Sequence, residues 1–289
     1  MTAVARTASQ IAASRGLPTD TDTNTPRWLD KSPLPLDEDA KKLFVEYSKI
    51  PEDELEQHLI EARKRAWECC PYPCIGHWVF LKLQLRKNAE FDEAVRRTQQ
   101  GQKLLDIGCA IGQDLRSLAH AGAPQNMLYG IDLEERFFEA GKFLFQDPDV
   151  QITFRQADAL DPDALQDWHG HFSIITCSYV LHLMTMEEQE KLVEVMLKLL
   201  SGAPDDLVFG RTGGTEPEGR HEFIREGRRL YRHSTKSMEE LWTRVATKSG
   251  RKVVVESWID PVPPLQVNLL AASGDVEPIR NLIFAVRLS

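Results

Sequence analysis

Short apolar stretches alternate with amphipathic stretches from about residue 101 to residue 211. Apolar positions spaced three and four apart predict helices, and short, mainly apolar runs between them predict strands that are buried on both faces. The predicted strands are 103–107, 127–132, 151–156, 172–177 and 206–211, and the predicted helices are 113–121, 134–145, 162–168 and 187–200. Strands and helices that alternate at this spacing predict βαβ units and therefore a parallel sheet.

The first hundred residues have a different pattern. Residues 1–35 are rich in Thr, Ser, Pro and Asp and show no periodicity, which predicts a mostly irregular arm. Residues 36–101 predict helices, with apolar faces formed by Leu43, Phe44 and Tyr47 and then by Leu55, Leu59, Ala62 and Ala66. A helical run is predicted over 77–86, and a further helix is predicted between a capping Asn88 and Gly101.

The C-terminal third predicts helices at about 217–232 and 237–249, with Ser237 and Glu240 as a capping box. Strands are predicted at 252–258 and 281–286. Because no helix separates these two strands, we expect an antiparallel ending to the sheet. No linker divides residues 36–289, so the pattern predicts a single domain after the arm.

The composition narrows the class of function. The chain has 289 residues, of which 42% are hydrophobic and 27% charged, and its formal net charge is −9. This acidic balance disfavours nucleic acid as a partner, because phosphate binding needs a basic surface. No stretch approaches the ~18–20 consecutive apolar residues that span a membrane. We therefore expect a small-molecule substrate, with neither nucleic acid nor a membrane as a partner.

The five cysteines indicate a reducing compartment, since this odd number is too small for a disulfide framework in a chain of this length. No N-terminal apolar segment resembles a secretory signal, so we expect a cytoplasmic protein. Cys70, Cys74 and His77 lack the second pair of ligands that a structural zinc site needs, so no metal is expected. A homodimer is compatible with the sequence.

Acidic residues stand at the ends of two consecutive predicted strands. Asp106 precedes a turn of small residues over 107–112, and Asp132 ends the next strand. Small residues let the backbone approach a ligand, and a carboxylate at the second strand end can bind ribose hydroxyls. The turn lacks the G-x-G-x-x-G spacing of dinucleotide sites, and Asp106 would repel a pyrophosphate. The pattern favours a cationic nucleoside such as S-adenosyl-L-methionine over NAD.

Three segments at successive strand ends resemble motifs of class I S-adenosylmethionine-dependent methyltransferases. Segment 104–112 resembles motif I with Ala110 in place of the middle glycine, 130–132 resembles the acidic ribose site, and 157–160 resembles the adenine loop. The resemblance implies a Rossmann-like α/β fold: a mostly parallel seven-stranded sheet with an antiparallel last strand, flanking helices and an N-terminal helical lid. It implies S-adenosyl-L-methionine as the cofactor, bound by Asp106, Gly108, Cys109, Gly112, Gln113, Asp114, Asp132, Leu133, Ala157, Asp158, Ala159 and Tyr72.

A narrower resemblance, over about residues 70–250, is to fungal natural-product methyltransferases of meroterpenoid and polyketide pathways. The segments that carry it are 72–75, 112–116, 181–183, 210–211 and 231–233. This resemblance implies methyl transfer to a carboxyl or hydroxyl oxygen of a terpenoid, meroterpenoid or polyketide. It also implies that the helices of 36–101 and an insert near 213–235 form a lid over the substrate.

The acceptor group decides which further residues the reaction needs. A hydroxyl acceptor needs a base to remove its proton, whereas a carboxylate is already ionised at neutral pH. His182 and His233 are the candidate catalytic residues, and Tyr179, Arg211 and Tyr231 are candidate substrate contacts. Structural roles fit two of these positions equally well: His182 as a buried histidine bonded to a backbone carbonyl, and Arg211 as the partner of an acidic residue in a salt bridge. Transfer to nitrogen or carbon, and a catalytically silent binding protein of the same fold, remain open.

Overall fold

The apolar stretches predicted as strands form one seven-stranded sheet in the computed structural model. The structure describes residues 18–217, 219, 221–225, 227–260 and 279–289, so the first part of the predicted arm, residues 1–17, lies outside the described residues. In chain order the strands of the sheet are β1 (Leu104–Ile107), β2 (Leu128–Asp132), β3 (Thr153–Gln156), β4 (Ile174–Ser178), β5 (Leu207–Gly214), β8 (Val253–Ile259) and β9 (Arg280–Leu288). The remaining two, β6 (Glu222–Arg225) and β7 (Arg228–Tyr231), pair with each other as a hairpin.

The strand order is β3-β2-β1-β4-β5-β9-β8. Strands β1 to β5 run parallel, whereas β9 is antiparallel to its two neighbours, β5 and β8. The expected fold, a mostly parallel seven-stranded sheet with an antiparallel last strand, is confirmed. The parallel order brings the carboxyl ends of β1 to β5 to one edge, which is where open α/β sheets bind ligands.

Strands β1 and β5 are buried at every position. Because helices cover both faces of the sheet, β1 and the first three residues of β5 carry mainly apolar side chains on both sides, and they therefore form continuous apolar runs in the sequence. The register pairs Asp106 of β1 with Gly130 of β2 and with Thr176 of β4. A carboxylate thus lies inside the sheet, close to the edge that binds ligands.

Helices flank the sheet and make up most of the N-terminal part. The α-helices are α1 (Glu38–Lys42), α2 (Leu55–Cys69), α3 (Pro73–Gly76), α4 (Phe91–Gln99), α5 (Gln113–His120), α6 (Arg136–Phe145), α7 (Met186–Leu199) and α8 (Thr235–Lys248). A π-helix (Leu43–Tyr47) continues α1, and 3₁₀ turns occur at Val79–Lys82, Gln84–Lys87, Gln125–Met127, Gln166–Trp168 and Leu181–Leu183. Within the described part of the chain, no helix has the length and apolar content of a membrane span.

The N-terminal helices share a core with one of the helices that flank the sheet. The apolar face predicted for α2 is buried in the same cluster as Phe137, Leu144 and Phe145 of α6. Phe44 of the π-helix stacks on the ring of Phe145, with 5.5 Å between centroids. Burial of each such side chain contributes about 1.5–3 kcal/mol. The N-terminal helices are therefore held firmly against the sheet that carries the ligand edge.

The helix predicted for 217–232 is wrong, because the described residues of this insert form the β6–β7 hairpin. Phe223 and Leu230 are buried, whereas the neighbouring Ile224 is exposed, which is the period of two that a strand requires. Gly227 has φ +77° at the turn between the strands. A left-handed backbone at this position favours glycine and ends any helix.

Two helix caps also differ from the prediction. The capping box of α8 is formed by Ser234 and Ser237, not by Ser237 and Glu240, because the helix already begins at Thr235. Asn88 does not cap α4. Its side-chain oxygen accepts a hydrogen bond from the backbone N–H of Glu90 in a local turn that precedes the helix.

Two predicted helices are shorter than the sequence suggests. In 162–168 only a 3₁₀ turn forms, preceded by a local turn in which Asp161 accepts a hydrogen bond from the backbone N–H of Asp163. The run 77–86 divides into two 3₁₀ turns, because Trp78 and Leu83 adopt left-handed backbone with φ +61° and +41°. An α-helix cannot continue through such residues.

Residues 18–31, here called the strap, have no regular structure but are bound closely to the helices beside them. The guanidinium of Arg63 in α2 lies between the rings of Trp28 and Trp78, at 3.6 and 3.8 Å from their centroids. Arg63 also donates a hydrogen bond to the carbonyl of Leu29 at 2.9 Å. Cation–π contacts and hydrogen bonds of this kind hold the strap against α2 and α3.

Candidate active site

A cavity of about 470 Å³ lies at the carboxyl ends of β1 to β4. It is lined by the turns that follow these strands, by the strap, by residues between 72 and 84, and by the β6–β7 hairpin. Ligands of open parallel sheets bind at this edge, so the cavity is the candidate active site. The N-terminal part and the insert near 213–235 both line it, and their role as a lid over the substrate stays a prediction.

The turn after β1 approaches the cavity through backbone in the left-handed region. Gly108, Ala110 and Gly112 have φ of +75°, +47° and +71°. A Cβ atom on Gly108 would lie 2.5 Å from Cγ2 of Val180, which leaves no room for a side chain. Ala110, which replaces a glycine of the motif, adopts this backbone although it carries a Cβ. Such a conformation costs about 1–2 kcal/mol for an L-residue.

Asp132 connects the end of β2 to this turn. One of its carboxylate oxygens accepts a hydrogen bond from the backbone N–H of Ala110 at 2.9 Å, and the other accepts one from Glu134 at 3.1 Å. Burial raises the pKa of Asp132 to about 6, although these backbone donors favour its ionised form. The side chain also lines the cavity, where a ribose hydroxyl could reach it.

Two more buried carboxylates, Asp106 and Asp114, line the cavity. Asp106 accepts a hydrogen bond from the Thr176 hydroxyl at 2.8 Å, and burial, followed by the charge of Asp114, raises its pKa well above the usual range. Burial also raises the pKa of Asp114 to about 6. Like charges that are held close together in a buried site favour a cationic ligand, because such a ligand stabilises their ionised forms.

The cofactor expected from the sequence fits this part of the cavity. One carboxylate oxygen of Asp114 and the amide oxygen of Gln113 are buried and accept no hydrogen bond from any described residue. Buried acceptors without donors are costly, and an ammonium group supplies the donors that they lack. S-adenosyl-L-methionine carries an ammonium and a sulfonium, so its charge matches the carboxylates as well as the unsatisfied acceptors.

Most of the predicted cofactor residues line the cavity. Besides those above, these are Tyr72, Leu133, Ala157, Asp158 and Ala159. The ring of Tyr72 stacks on Phe137, with centroids 5.9 Å apart, and Asp158 accepts a hydrogen bond from the backbone N–H of Leu160 at 2.9 Å. These side chains are therefore held in place by contacts outside the cavity.

Two predicted cofactor residues do not line the cavity. Cys109 is 1% exposed and belongs to a hydrophobic core cluster behind the turn. Gly112 packs against Arg116 and Phe154 and serves as the N-cap of α5. Cys109 and Gly112 were expected to contact the cofactor directly. In the structure they instead shape the turn that other residues use to line the cavity.

Basic residues line the cavity on the hairpin side. Arg225 ends β6 and Arg232 follows β7, and the guanidinium of Arg232 lies 3.8 Å above the ring of Phe223. His182, which follows β4, lines the cavity as well. Burial, and then the charges of Arg232 and Arg225, lower the pKa of His182 to about 3. This histidine is therefore neutral near pH 7.

The ring of His182 is held by β5. Its Nδ1 atom lies 3.2 Å from the hydroxyl oxygen of Thr212 and accepts a hydrogen bond from the backbone N–H of Gly213 at 3.3 Å. The same hydroxyl oxygen accepts a hydrogen bond from the backbone N–H of His182 at 3.2 Å. The position of the ring is thus fixed from the Nδ1 side.

Of two predicted substrate contacts, Tyr179 directly after β4 and Arg211 within β5, only one reaches the cavity. Tyr179 lines it, with φ +58°, and its hydroxyl donates a hydrogen bond to Asn281 at 3.3 Å. Arg211 is 2% exposed and does not line the cavity. It donates a hydrogen bond to Gln84, which does line the cavity, and lies 3.7 Å from Asp260. Arg211 therefore supports the cavity wall from behind.

The structure does not bring Tyr231 and His233 into the cavity. His233 is 1% exposed, and its ring nitrogens bond the side chains of Gln189 at 2.8 Å and Ser237 at 2.9 Å. Tyr231 packs against the rings of His221 and His233. The catalytic role expected of His233 is not supported, because both of its nitrogens are already used to join the hairpin to α7 and α8.

Gln84 and Arg225 line the cavity but do not appear among the residues predicted from the sequence. Gln84 belongs to a helical run whose left-handed breaks have no clear signal in the sequence. Arg225 lies in the hairpin that the sequence pattern predicted as a helix. The alternation of Phe223, Ile224 and Arg225 is the one signal that could have identified a strand and its cavity-facing positions.

Two family models match the sequence. One, described as the N-terminal domain of meroterpenoid methyltransferases, matches residues 28–81, and the other, described as a methyltransferase domain, matches residues 104–202. The first match includes the cavity-lining residues between 72 and 80, and the second covers β1 to β4 with the turns that follow them.

Named fungal proteins are similar over most of the chain. Methyltransferase prhM of Penicillium brasilianum is 35% identical over 243 residues, which cover 82% of this chain and 86% of that protein. Methyltransferase trt5 of Aspergillus terreus matches with the same identity and coverage. O-methyltransferase atr3 of Stereocaulon alpinum is 34% identical over 238 residues, which cover 81% of this chain and 69% of that protein.

Proposed function

Because this chain belongs to the family of fungal methyltransferases that includes prhM and trt5, we propose that it forms the methyl ester of an apolar carboxylic acid. It is a methyltransferase, and S-adenosyl-L-methionine is its cofactor. The proposal adds the acceptor: a carboxylate oxygen of a terpenoid, meroterpenoid or polyketide in secondary metabolism. The name of the relative atr3, an O-methyltransferase, supports transfer to oxygen.

The observation that carries the proposal is the separation of charge in the cavity. Asp106, Asp132 and Asp158 line it from the strand ends and Asp114 from the first turn of α5, whereas Arg225 and Arg232 line it from the hairpin side. Arg27 of the strap also lines it, and its guanidinium donates a hydrogen bond to the carbonyl of Asp20 at 3.1 Å. The carboxylates suit the cationic cofactor. Arginine forms strong, charge-assisted hydrogen bonds with carboxylates, so the arginines suit an anionic acceptor.

The rest of the lining supports a large apolar body for the acceptor. Phe80, Leu183, Met184, Phe223 and Ile279 all face the cavity. Burial of an apolar ligand surface against such side chains contributes about 25 cal/mol per Å². A molecule with one carboxylate and a hydrocarbon skeleton, such as a terpenoid acid, matches both features.

Methyl transfer to a carboxylate requires the protein mainly to place the cofactor and the acceptor relative to each other. When bound, the cofactor supplies a methyl group that its sulfonium has already activated. The side chains of the cavity hold the two ligands in line, and alignment of this kind can lower a barrier by about 7–11 kcal/mol. The strap lines the same cavity and limits the access of water to it. A carboxylate acceptor has no proton to lose, so no base is needed.

The proposal is tested with cofactor that carries tritium in its methyl group. Three matched acceptors are offered: a terpenoid or aromatic carboxylic acid, its methyl ester and the corresponding alcohol. We expect label in the acid alone, and we expect alkali to release that label as volatile methanol, because only an ester is hydrolysed in this way. Label that resists alkali would mean transfer to a hydroxyl, nitrogen or carbon and would refute the proposal.

We also place the enzyme in the cytoplasm, because all five cysteines carry free thiols, as expected in a reducing compartment. The acidic net charge supports a small molecule, and not a nucleic acid, as the partner. A homodimer stays a prediction, and light scattering of the purified protein tests it.

A further inference from the structure

We propose that Thr212 is a positioning residue which, with the backbone N–H of Gly213, holds His182 as a hydrogen-bond donor toward the methyl acceptor. In this role His182 presents its Nε2–H to the cavity and removes no proton. The inference rests on the proposed function and deepens it, because it names a group that meets the acceptor oxygen. It also replaces the role of base that the sequence suggested for His182.

The contacts of Nδ1 determine which ring nitrogen carries the proton. A backbone N–H can only donate, so the 3.3 Å bond from Gly213 requires a lone pair on Nδ1. The Thr212 hydroxyl oxygen already accepts from the backbone N–H of His182, which leaves its own proton free to point toward Nδ1, 3.2 Å away. Two donors thus face Nδ1, and in a neutral imidazole the proton must then lie on Nε2.

The sheet explains why β5 can reach His182. Strand β4 pairs with β5 only as far as Ser178 with Arg211, whereas β5 continues to Gly214 along β9. The edge of β5 beyond Arg211 is therefore open to the turn after β4, which contains His182. Gly213 permits this contact, since a Cβ there would lie 3.2 Å from the Cγ atom of His182.

The other nitrogen faces the proposed acceptor. His182 lines the cavity, and no described residue forms a hydrogen bond with its Nε2. Arg225 and Arg232 line the same part of the cavity, and their charges oppose a second proton on the ring. A neutral N–H donor beside two arginines complements a carboxylate. To act as a base toward the cavity, the ring would need a lone pair on Nε2 and therefore its proton on Nδ1. That proton would point at the backbone N–H of Gly213, so two donors would face each other.

The first test needs no acceptor. Protein labelled with nitrogen-15 in histidine is studied by NMR with S-adenosylhomocysteine present, and the signals of His182 are assigned by their loss in His182→Gln. We expect couplings that place the proton on Nε2 at neutral pH in the wild type. We expect a weaker preference for that form in Thr212→Val than in Thr212→Ser, which keeps the hydroxyl. A proton on Nδ1, or a doubly protonated ring, in the wild type would overturn the proposal.

The second test uses the acid that the tritium assay identifies. His182→Ala should lower kcat/KM by about 10- to 100-fold, because it removes a hydrogen bond to a charged group. In His182→Gln the side-chain amide supplies a donor near the position of Nε2, so most of the activity should return. A base cannot be replaced by an amide. Equal losses in His182→Gln and His182→Ala would therefore overturn the proposal.

A double-mutant cycle tests the role of Thr212. Thr212→Val should lower kcat/KM when it is made alone, but it should have little further effect when it is added to His182→Ala. The reason is that Thr212 acts through the imidazole ring of His182, which the second background lacks. Equal losses in both backgrounds would show a merely structural role and refute the positioning function. Melting temperatures and the affinity for S-adenosylhomocysteine identify variants that fail to fold. The two proposals fail separately, because alkali-stable label refutes the carboxylate acceptor whereas the NMR result reports only on His182.

Discussion

The carboxylate of Asp132 accepts a hydrogen bond from the backbone N–H of Ala110 at 2.9 Å, so the end of β2 is joined to the turn that follows β1. Ala110 stands at φ +47°, a conformation that an L-residue adopts only when its surroundings hold it there. One carboxylate thus stabilises the turn and also faces the cofactor site.

Asp132→Asn should weaken cofactor binding although it preserves the shape of the side chain. The two carboxylate oxygens each accept a backbone N–H, from Ala110 and from Glu134, and an amide offers only one oxygen. One N–H would then face another donor, which costs about 1–3 kcal/mol. We expect the Kd of S-adenosylhomocysteine, measured by calorimetry, to rise by about 5- to 150-fold. The exposed Asp149→Asn is the control, and unchanged affinity in Asp132→Asn would contradict this account.

Asp114 and Asp132 should make cofactor affinity depend on pH. Burial raises the pKa of each to about 6, above the ordinary value near 3.9. Because these folded-state pKa values exceed the unfolded ones, the two carboxyls lower the stability of the ligand-free protein as the pH rises from about 4 to about 6, and they cause no further loss above that window. A cation stabilises the ionised forms, so affinity for S-adenosyl-L-methionine should increase through the same window.

Calorimetry between about pH 5 and pH 8, in buffers with different heats of ionisation, checks this prediction. We expect binding near pH 6 to release protons, because the ligand drives ionisation of the two carboxyls. Asp114→Asn should reduce this release. Affinity that stays constant from pH 5 to pH 8 in the wild type would show that these carboxyls do not titrate with the ligand.

Arg225→Gln should impair use of the acceptor and leave cofactor binding unchanged. Arg225 lines the cavity from the hairpin, so its loss removes a charged contact with the proposed carboxylate. We expect the KM for the acid to rise by about 10-fold or more, and the Kd of S-adenosylhomocysteine to stay the same. Arg229→Gln is the matched control, because Arg229 lies on the same hairpin but is exposed and paired with Glu222. Similar effects in both variants would indicate a general loss of positive charge.

Gly108→Ala should cost more stability than the same change at another left-handed glycine. Gly108 and Gly170 have similar φ, +75° and +70°, but only Gly108 has a neighbour, Val180, 2.5 Å from the added Cβ. Gly170→Ala should lose about 1–2 kcal/mol for backbone strain alone, whereas Gly108→Ala should lose more and bind less cofactor. Urea denaturation measures both, and Gly108→Ala/Val180→Ala should recover part of the difference. Equal losses at the two glycines would rule out the clash.

The inner strands of the sheet could be predicted from the sequence because they are buried on both faces, whereas the edge strands β3 and β8 are partly exposed. Continuous apolar runs mark such strands locally, and the observed bounds differ from the predicted ones by only a few residues. The carboxylates of the site could be predicted once the strands were located, since Asp106 and Asp132 stand at or beside strand ends. The hairpin was not, because its charged residues occur at spacings that a helix also allows, and its turn depends on the backbone of Gly227.

The parts of the site that involve distant contacts could not be predicted. His233 stands next to the cavity-lining Arg232 in the chain, but its ring faces α7, and only tertiary structure shows which neighbour points inward. Arg211 donates a hydrogen bond to Gln84 from outside the cavity, although strands β1 to β4 lie between these two residues in the sequence. The sequence identified His182 as a site residue, whereas the direction of its proton depends on Gly213 of another strand.

The two sides of the cavity belong to different structural elements, and this has a consequence for how such enzymes diversify. The carboxylates belong to strand ends that the core fixes, whereas Arg225 and Phe223 belong to a two-stranded hairpin outside the main sheet. With the proposed acceptor held by the hairpin, mutations there change which acceptor is methylated without disturbing the residues that bind the methyl donor. Selection can then act on this short segment alone, and grafting a hairpin between homologues becomes a direct test of whether it sets the choice of acceptor.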